Sequence, residues 1–85
     1  MNILFCIYQL DFADHIALAY LSAIARKRGH STHLCVLKET DLSEKVRVIK
    51  PEIIAYSGLV VGFDALVAAN REARREHDFI AIMGV

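Results

Sequence analysis

Ile3-Leu4-Phe5-Cys6-Ile7-Tyr8 opens the sequence as an unbroken apolar run, six residues long and rich in strand formers. A strand with one wet face alternates apolar and polar residues. A strand covered on both faces reads as a continuous run, which is the habit of parallel sheets. Similar short runs follow at residues 32–37, at Ile53-Ile54-Ala55-Tyr56 and at Phe79-Ile80-Ala81-Ile82-Met83.

The segments between these runs have helical period. Residues 15–28 place Ala17, Leu21 and Ile24 on one face. Arg26, Lys27 and Arg28 fall in the last turn, where the helix dipole favours cations. Asp14 is the expected N-cap of this helix and Gly29 its C-cap. Asp41, with Glu44 three residues later, makes a capping box for a helix over residues 42–49 that turns Leu42, Val46 and Ile49 inward. Pro51 stops that helix, because the residue before a proline is pushed out of the helical region. Residues 63–77 carry Phe63, Leu66, Val67, Asn70 and Ala73 along one stripe. Arg71, Glu72, Arg74, Arg75 and Glu76 form the other side, which reads as a solvated face.

The order βαβαβαβ, with short connections, calls for parallel crossovers with helices on both faces of the sheet. The expected fold class is therefore α/β, a flavodoxin-like doubly wound parallel sheet with strand order 2-1-3-4 and three helices. The fifth strand and last helix of the usual small version are missing, so residues 1–85 read as a single, incomplete domain.

Ten basic and ten acidic residues cancel, leaving no basic field to gather nucleic acid. No apolar stretch approaches the roughly 20 residues of a membrane helix, and the N-terminus lacks the cationic segment of a secretory signal. Cys6 and Cys35 both sit in apolar runs and read as two buried thiols of a reducing, cytoplasmic protein rather than as a disulfide framework.

Doubly wound sheets bind ligands beyond the carboxyl ends of their strands, at the switch point, here between the first and third strands. That rule selects residues 9–15, 57–62 and 84–85. Three common occupants fail there. A receiver domain needs an acceptor aspartate at the end of the third strand, where Tyr56-Ser57 stands. A flavodoxin needs a Ser/Thr/Gly-rich phosphate loop after the first strand, and Gln9-Leu10-Asp11-Phe12 is not one. A dinucleotide binder needs G-x-G-x-x-G there, yet no glycine precedes Gly29.

Four segments in order carry a resemblance. Ile16-Ala17-Leu18-Ala19-Tyr20-Leu21-Ser22-Ala23 comes first and Arg28-Gly29-His30 second. Ile49-Lys50-Pro51-Glu52-Ile53-Ile54-Ala55-Tyr56-Ser57 and Ile80-Ala81-Ile82-Met83-Gly84 complete the set. They are similar to the LGLAYLAA helix opening, the GH, the IKPDIVGIS and the lead into GGP of the cobalamin-binding domains that precede radical-SAM domains. The resemblance spans essentially the whole chain. It implies a cobalamin-binding module of a methyltransferase-like or ring-rearranging radical-SAM enzyme, partnered by a downstream radical-SAM domain in a full-length parent.

By the same resemblance, Ser57 and Leu59 match the family's S-x-L element beside the nucleotide tail of cobalamin. Gly58 keeps the backbone open for close approach, and Gly84 matches the first of the glycines lining the far side of the tail. These four are the expected cofactor-binding residues. The D-x-H-x-x-G spacing of histidine-ligated cobalt is absent, since His15 directly follows Asp14 and Ala13 stands two residues after Asp11. His15 therefore reads as a surface histidine at a helix start, and no metal ligand is expected. No Cys-x3-Cys-x2-Cys set provides for an iron–sulfur cluster, and His30, His33 and His77 have no metal spacing with the cysteines. No catalytic residues are expected. A different class remains open: a non-catalytic interaction or assembly domain of the same fold that has lost the ligand. Residues 79–83, apolar and without charge or proline, are the expected route of self-association through the fourth strand.

Overall fold

The computed structural model describes residues 1–8, 12–57 and 63–83. Its elements are β1 (Asn2–Ile7), α1 (Phe12–Lys27), β2 (Ser31–Val36), α2 (Leu42–Ile49), β3 (Ile53–Ser57), α3 (Phe63–Ala73) and β4 (Ile80–Met83). The four strands form one sheet of order β2-β1-β3-β4, all parallel. This is the doubly wound α/β sheet expected from the sequence.

Side-chain alternation along each strand sorts the core into two layers. Leu4, Cys6, Cys35, Ile54 and Tyr56 point to the side covered by Leu42 and Val46 of α2 and by Leu66 and Ala73 of α3. Phe5, Ile7, Val36 and Ala55 point to the other side, where Leu18 and Leu21 of α1 meet them. The inward residues named for α2 hold, Ile49 packing at the edge of its layer, and Leu66 and Ala73 hold for α3. On α1 the outcome differs: Leu18 is buried beside Leu21, whereas Ile24 is exposed. An inward face centred on Leu18, Leu21 and Ala25 turns Ile24 toward the flank of the helix, although its hydrophobicity fits the period equally well.

Three boundaries also move. Helix α1 begins at Phe12, so Asp14 lies in its first turn and is not the N-cap. The dipole favours acids throughout that turn, so a lone aspartate does not locate the cap. Helix α3 ends at Ala73, not 77; Arg75 and Glu76 donate their N–H groups to Glu72 and Ala73 at 3.1 and 3.0 Å, tightening the chain into a turn. Phe79 precedes β4 and is buried among α2 and α3, with the Arg74 guanidinium 4.7 Å from its ring centre and Arg74 Nη1 donating to its carbonyl at 3.0 Å.

Other local expectations hold with added detail. Gly29 takes φ +88° after α1; its N–H donates to Arg26 O and that of His30 to Ala25 O, each at 3.0 Å, the paired bonds of a Schellman ending. Asp41 caps α2 by accepting from Ser43 N at 3.3 Å. Lys50, before Pro51, ends α2 in the left-handed region at φ 51°. At the amino edge of the sheet, Asn2 N donates to Glu52 Oε2 at 2.6 Å and Asn2 Nδ2 to Ile49 O at 3.2 Å, tying β1 to the start of β3. Among the described residues no helix is long and apolar enough to cross a membrane.

Candidate functional site

With order β2-β1-β3-β4, the chain leaves β1 in one direction through α1 and later leaves β3 in the other. The crevice at the carboxyl ends of β1 and β3 is thus the switch point. Ser57 is the last residue of β3 and stands in register with Ile7, the last residue of β1. It is the buried polar residue of the described core, 4% exposed. Alternation puts it on the same side as Ala55, the α1 side. Gly58, Leu59 and Gly84 lie outside the described residues, so of the four expected cofactor-binding residues the structure describes Ser57. His15 lies within α1.

On the α1 side, an apolar shelf runs along β3 and β4 from the amino end toward Ser57. Ile53 and Ala55 of β3 are in register with Ile80 and Ile82 of β4. The two β4 isoleucines are 65% and 44% exposed. Ser57 thus adds a hydroxyl at the carboxyl end of a side of the sheet that is otherwise aliphatic.

On the opposite side the carboxyl end of β3 is braced. Tyr56 is fully buried and its hydroxyl donates to Asn70 Oδ1 of α3 at 2.6 Å. Burial pushes the phenol well above its ordinary pKa, so the hydroxyl stays a proton donor. Asn70 was assigned to the inward stripe of α3; its role as the acceptor for a buried tyrosine is what the fold adds.

Two residues at the crevice rim escaped the sequence reading. Strand pairing runs one step past β1 and β2, with Leu37 N donating to Ile7 O at 2.9 Å and Lys38 N to Tyr8 O at 3.1 Å. This carries Tyr8 and Lys38 to the carboxyl edge, where the Lys38 ammonium lies 5.8 Å from the centre of the Tyr8 ring. The carboxyl-end rule could have found them, had it been applied to the last residues of the strands as well as to the loops.

Two grooves among the described residues lie away from this crevice. One of about 200 Å³ runs between α1 and β2, where Thr32 Oγ1 accepts from Arg26 Nε at 2.8 Å and shares a 2.7 Å hydrogen bond with Ser22 Oγ. The other, about 420 Å³, is walled by His33 of β2, Thr40 and the α2 residues Glu44, Lys45, Val48 and Ile49. Among the described residues, no three His, Cys, Asp or Glu side chains gather as a metal-holding group. No family model, curated protein or solved structure matches this chain.

Proposed function

We propose that this chain is a cobalamin-binding module of the kind that precedes radical-SAM domains, with Ser57 bordering the slot for the cofactor's nucleotide tail. The observation that carries the reading is the position of Ser57: buried, small, hydroxyl-bearing, and in register with the end of β1 at the switch point. The segment-by-segment resemblance over the whole chain supports it from the sequence side. Ile82, in register with Ala55 two residues before Ser57, adds an exposed aliphatic side chain on the same side of the sheet.

The described residues fit such a tail. Ser57 can hydrogen-bond a buried heterocycle nitrogen, and β3 presents nothing larger than Ala55 and Ser57 on that side near its carboxyl end. Gly58, Leu59 and Gly84 are carried by the resemblance as the remaining tail-lining positions. When bound, cobalamin would supply organometallic cobalt chemistry, methyl-group carriage in a methyltransferase, to a downstream radical-SAM domain. The part of this chain is to hold the tail and present the corrin face. The module works in a reducing cytoplasm, a reading supported by its two free buried thiols.

Titration with hydroxocobalamin tests this directly: the expected result is co-elution of cofactor and protein with a changed visible spectrum. Ser57→Leu overfills a buried strand end and should abolish uptake at some cost in stability, with the far-ultraviolet circular dichroism showing that sheet and helices persist. Uptake by Ser57→Leu as tight as by the parent would sink the placement. No histidine of this chain, His15 included, is expected to ligate the cobalt. Axial nitrogen coupling in the cobalt(II) paramagnetic resonance spectrum that vanishes in His15→Ala would overturn that part.

A second reading, an interaction or assembly domain of the same fold without the ligand, is favoured by a separate observation. Ile16, Tyr20 and Ile24 recur every fourth residue along α1 and all three are exposed. Failure to take up hydroxocobalamin, together with concentration-dependent association, would decide for it.

A further inference from the structure

Twenty-eight residues separate Cys6 from Cys35 in the chain, yet the parallel pairing of β1 and β2 makes them direct register partners. Both point into the layer beneath α2 and α3, and both are fully buried. Neighbouring strands lie about 4.8 Å apart, inside the Cα separation of roughly 4.4–6.8 Å that a disulfide spans. Register partners on one face of a parallel pair carry their side chains side by side.

We infer that Cys6 and Cys35 form a cross-strand dithiol, an oxidation site that closes to an intrachain disulfide on reaction with a small peroxide. This inference is independent of cobalamin binding.

The two thiols are not equivalent. The neighbouring Cys35 sulfur and burial together push the Cys6 thiol well above its ordinary range. The adjoining Cys6 thiol lowers the pKa of Cys35; burial opposes this, the Lys45 ammonium assists it and Asp41 works against it. Tyr56 is the other titratable group in contact, and it stays protonated. Cys35, whose sulfur reaches Thr40 at the wall of a groove, is assigned as the attacking thiol and Cys6 as the resolving one. The thiol of Cys35 reaches the carbonyl of Thr40 at 4.0 Å, and Thr40 and Lys45 also wall the 420 Å³ groove beside α2. Cys35 itself is fully buried, so peroxide reaches the sulfur only when the wall at Thr40 opens.

The chemistry balances without a metal or a further reductant. The Cys35 thiolate attacks one peroxide oxygen; the S–O bond forms, the O–O bond breaks, and hydroxide leaves to take a proton and become water. Cys6 sulfur then attacks the sulfenic sulfur of Cys35. The S–S bond forms, the S–O bond breaks, and the Cys6 proton departs with the hydroxyl as a second water. Two thiols are oxidised, one peroxide is reduced, and an external thiol can reverse the bond.

Treating the intact protein with hydrogen peroxide should remove both free thiols without forming disulfide-linked chains on denaturing, non-reducing gels. Tryptic digestion should then join the peptide of residues 1–26 to that of residues 29–38, and dithiothreitol should separate them. Retention of both thiols, or disulfides formed only between separate chains, would overturn the inference; this mapping needs no variant. In Cys6→Ala the reaction should stop at a dimedone-reactive sulfenic acid on Cys35, whereas Cys35→Ala should leave Cys6 unreactive. Equal reactivity of the two variants, each checked for folding by circular dichroism, would overturn the assignment of Cys35 as the attacking thiol.

Discussion

The two sides of the sheet are built from the same strands and covered very differently. Under α2 and α3, Leu4, Cys6, Ile54 and Tyr56 are fully buried. On the α1 side the middle of the sheet is equally dry at Ile7, but the flanks open, at Leu34 of β2 and at Ile80 and Ile82 of β4. Geometry explains the difference. Four strands at about 4.8 Å spacing span roughly 14 Å between the outer ones, while one helix with its side chains is only about 10–12 Å across. Two helices cover that width and one does not. Ala81, facing the α2 and α3 side, is exposed as well, so β4 is thinly covered on both sides. Strand composition alone thus says that a strand expects cover, without saying which part of it receives any.

The sharpest test sets one core residue from each side against the other. Ile54→Ala, beneath two helices, should cost about 3–4 kcal/mol, and Leu18→Ala, on the single covering helix, about 2 kcal/mol, as read by urea denaturation. Equal costs would mean that the α1 layer is as tightly packed as its opposite. A smaller effect is expected from Tyr56→Phe, which removes the hydroxyl hydrogen bond to Asn70 and should cost about 1 kcal/mol. No loss of stability there would show that Asn70 re-pairs with water. The smallest effect on stability belongs to the open flank: Ile80→Lys and Ile82→Lys should each change it by no more than about 0.5 kcal/mol. Should β4, the apolar strand expected from the sequence to self-associate, be the route of association, the same substitutions should lower the association seen by sedimentation at high concentration. An unchanged sedimentation profile would remove β4 from that role.

How much of this was legible beforehand follows from the range of each interaction. Apolar runs and helical period are local, so the element order, the 2-1-3-4 sheet and the inward faces of α2 and α3 could be read from neighbouring residues. The ends of α1 and α3 could not. Asp14 suits both a cap and a first turn, and the stop at Ala73 comes with a turn in which Arg74 lies over Phe79, five residues on. Ser57 was legible because a strand-end rule and a local motif coincide on it. Tyr8 and Lys38 were missed because they meet only through the pairing of β1 with β2.

The cysteines mark the boundary most clearly. By itself the sequence determined that Cys6 and Cys35 sit in apolar strands and are buried, since hydrophobicity and strand length are properties of adjacent residues. Their contact was decided by the tertiary structure alone. Strand register is set by the whole helix α1 returning the chain to the edge of β1, and a shift of one residue would turn one thiol to the opposite face of the sheet.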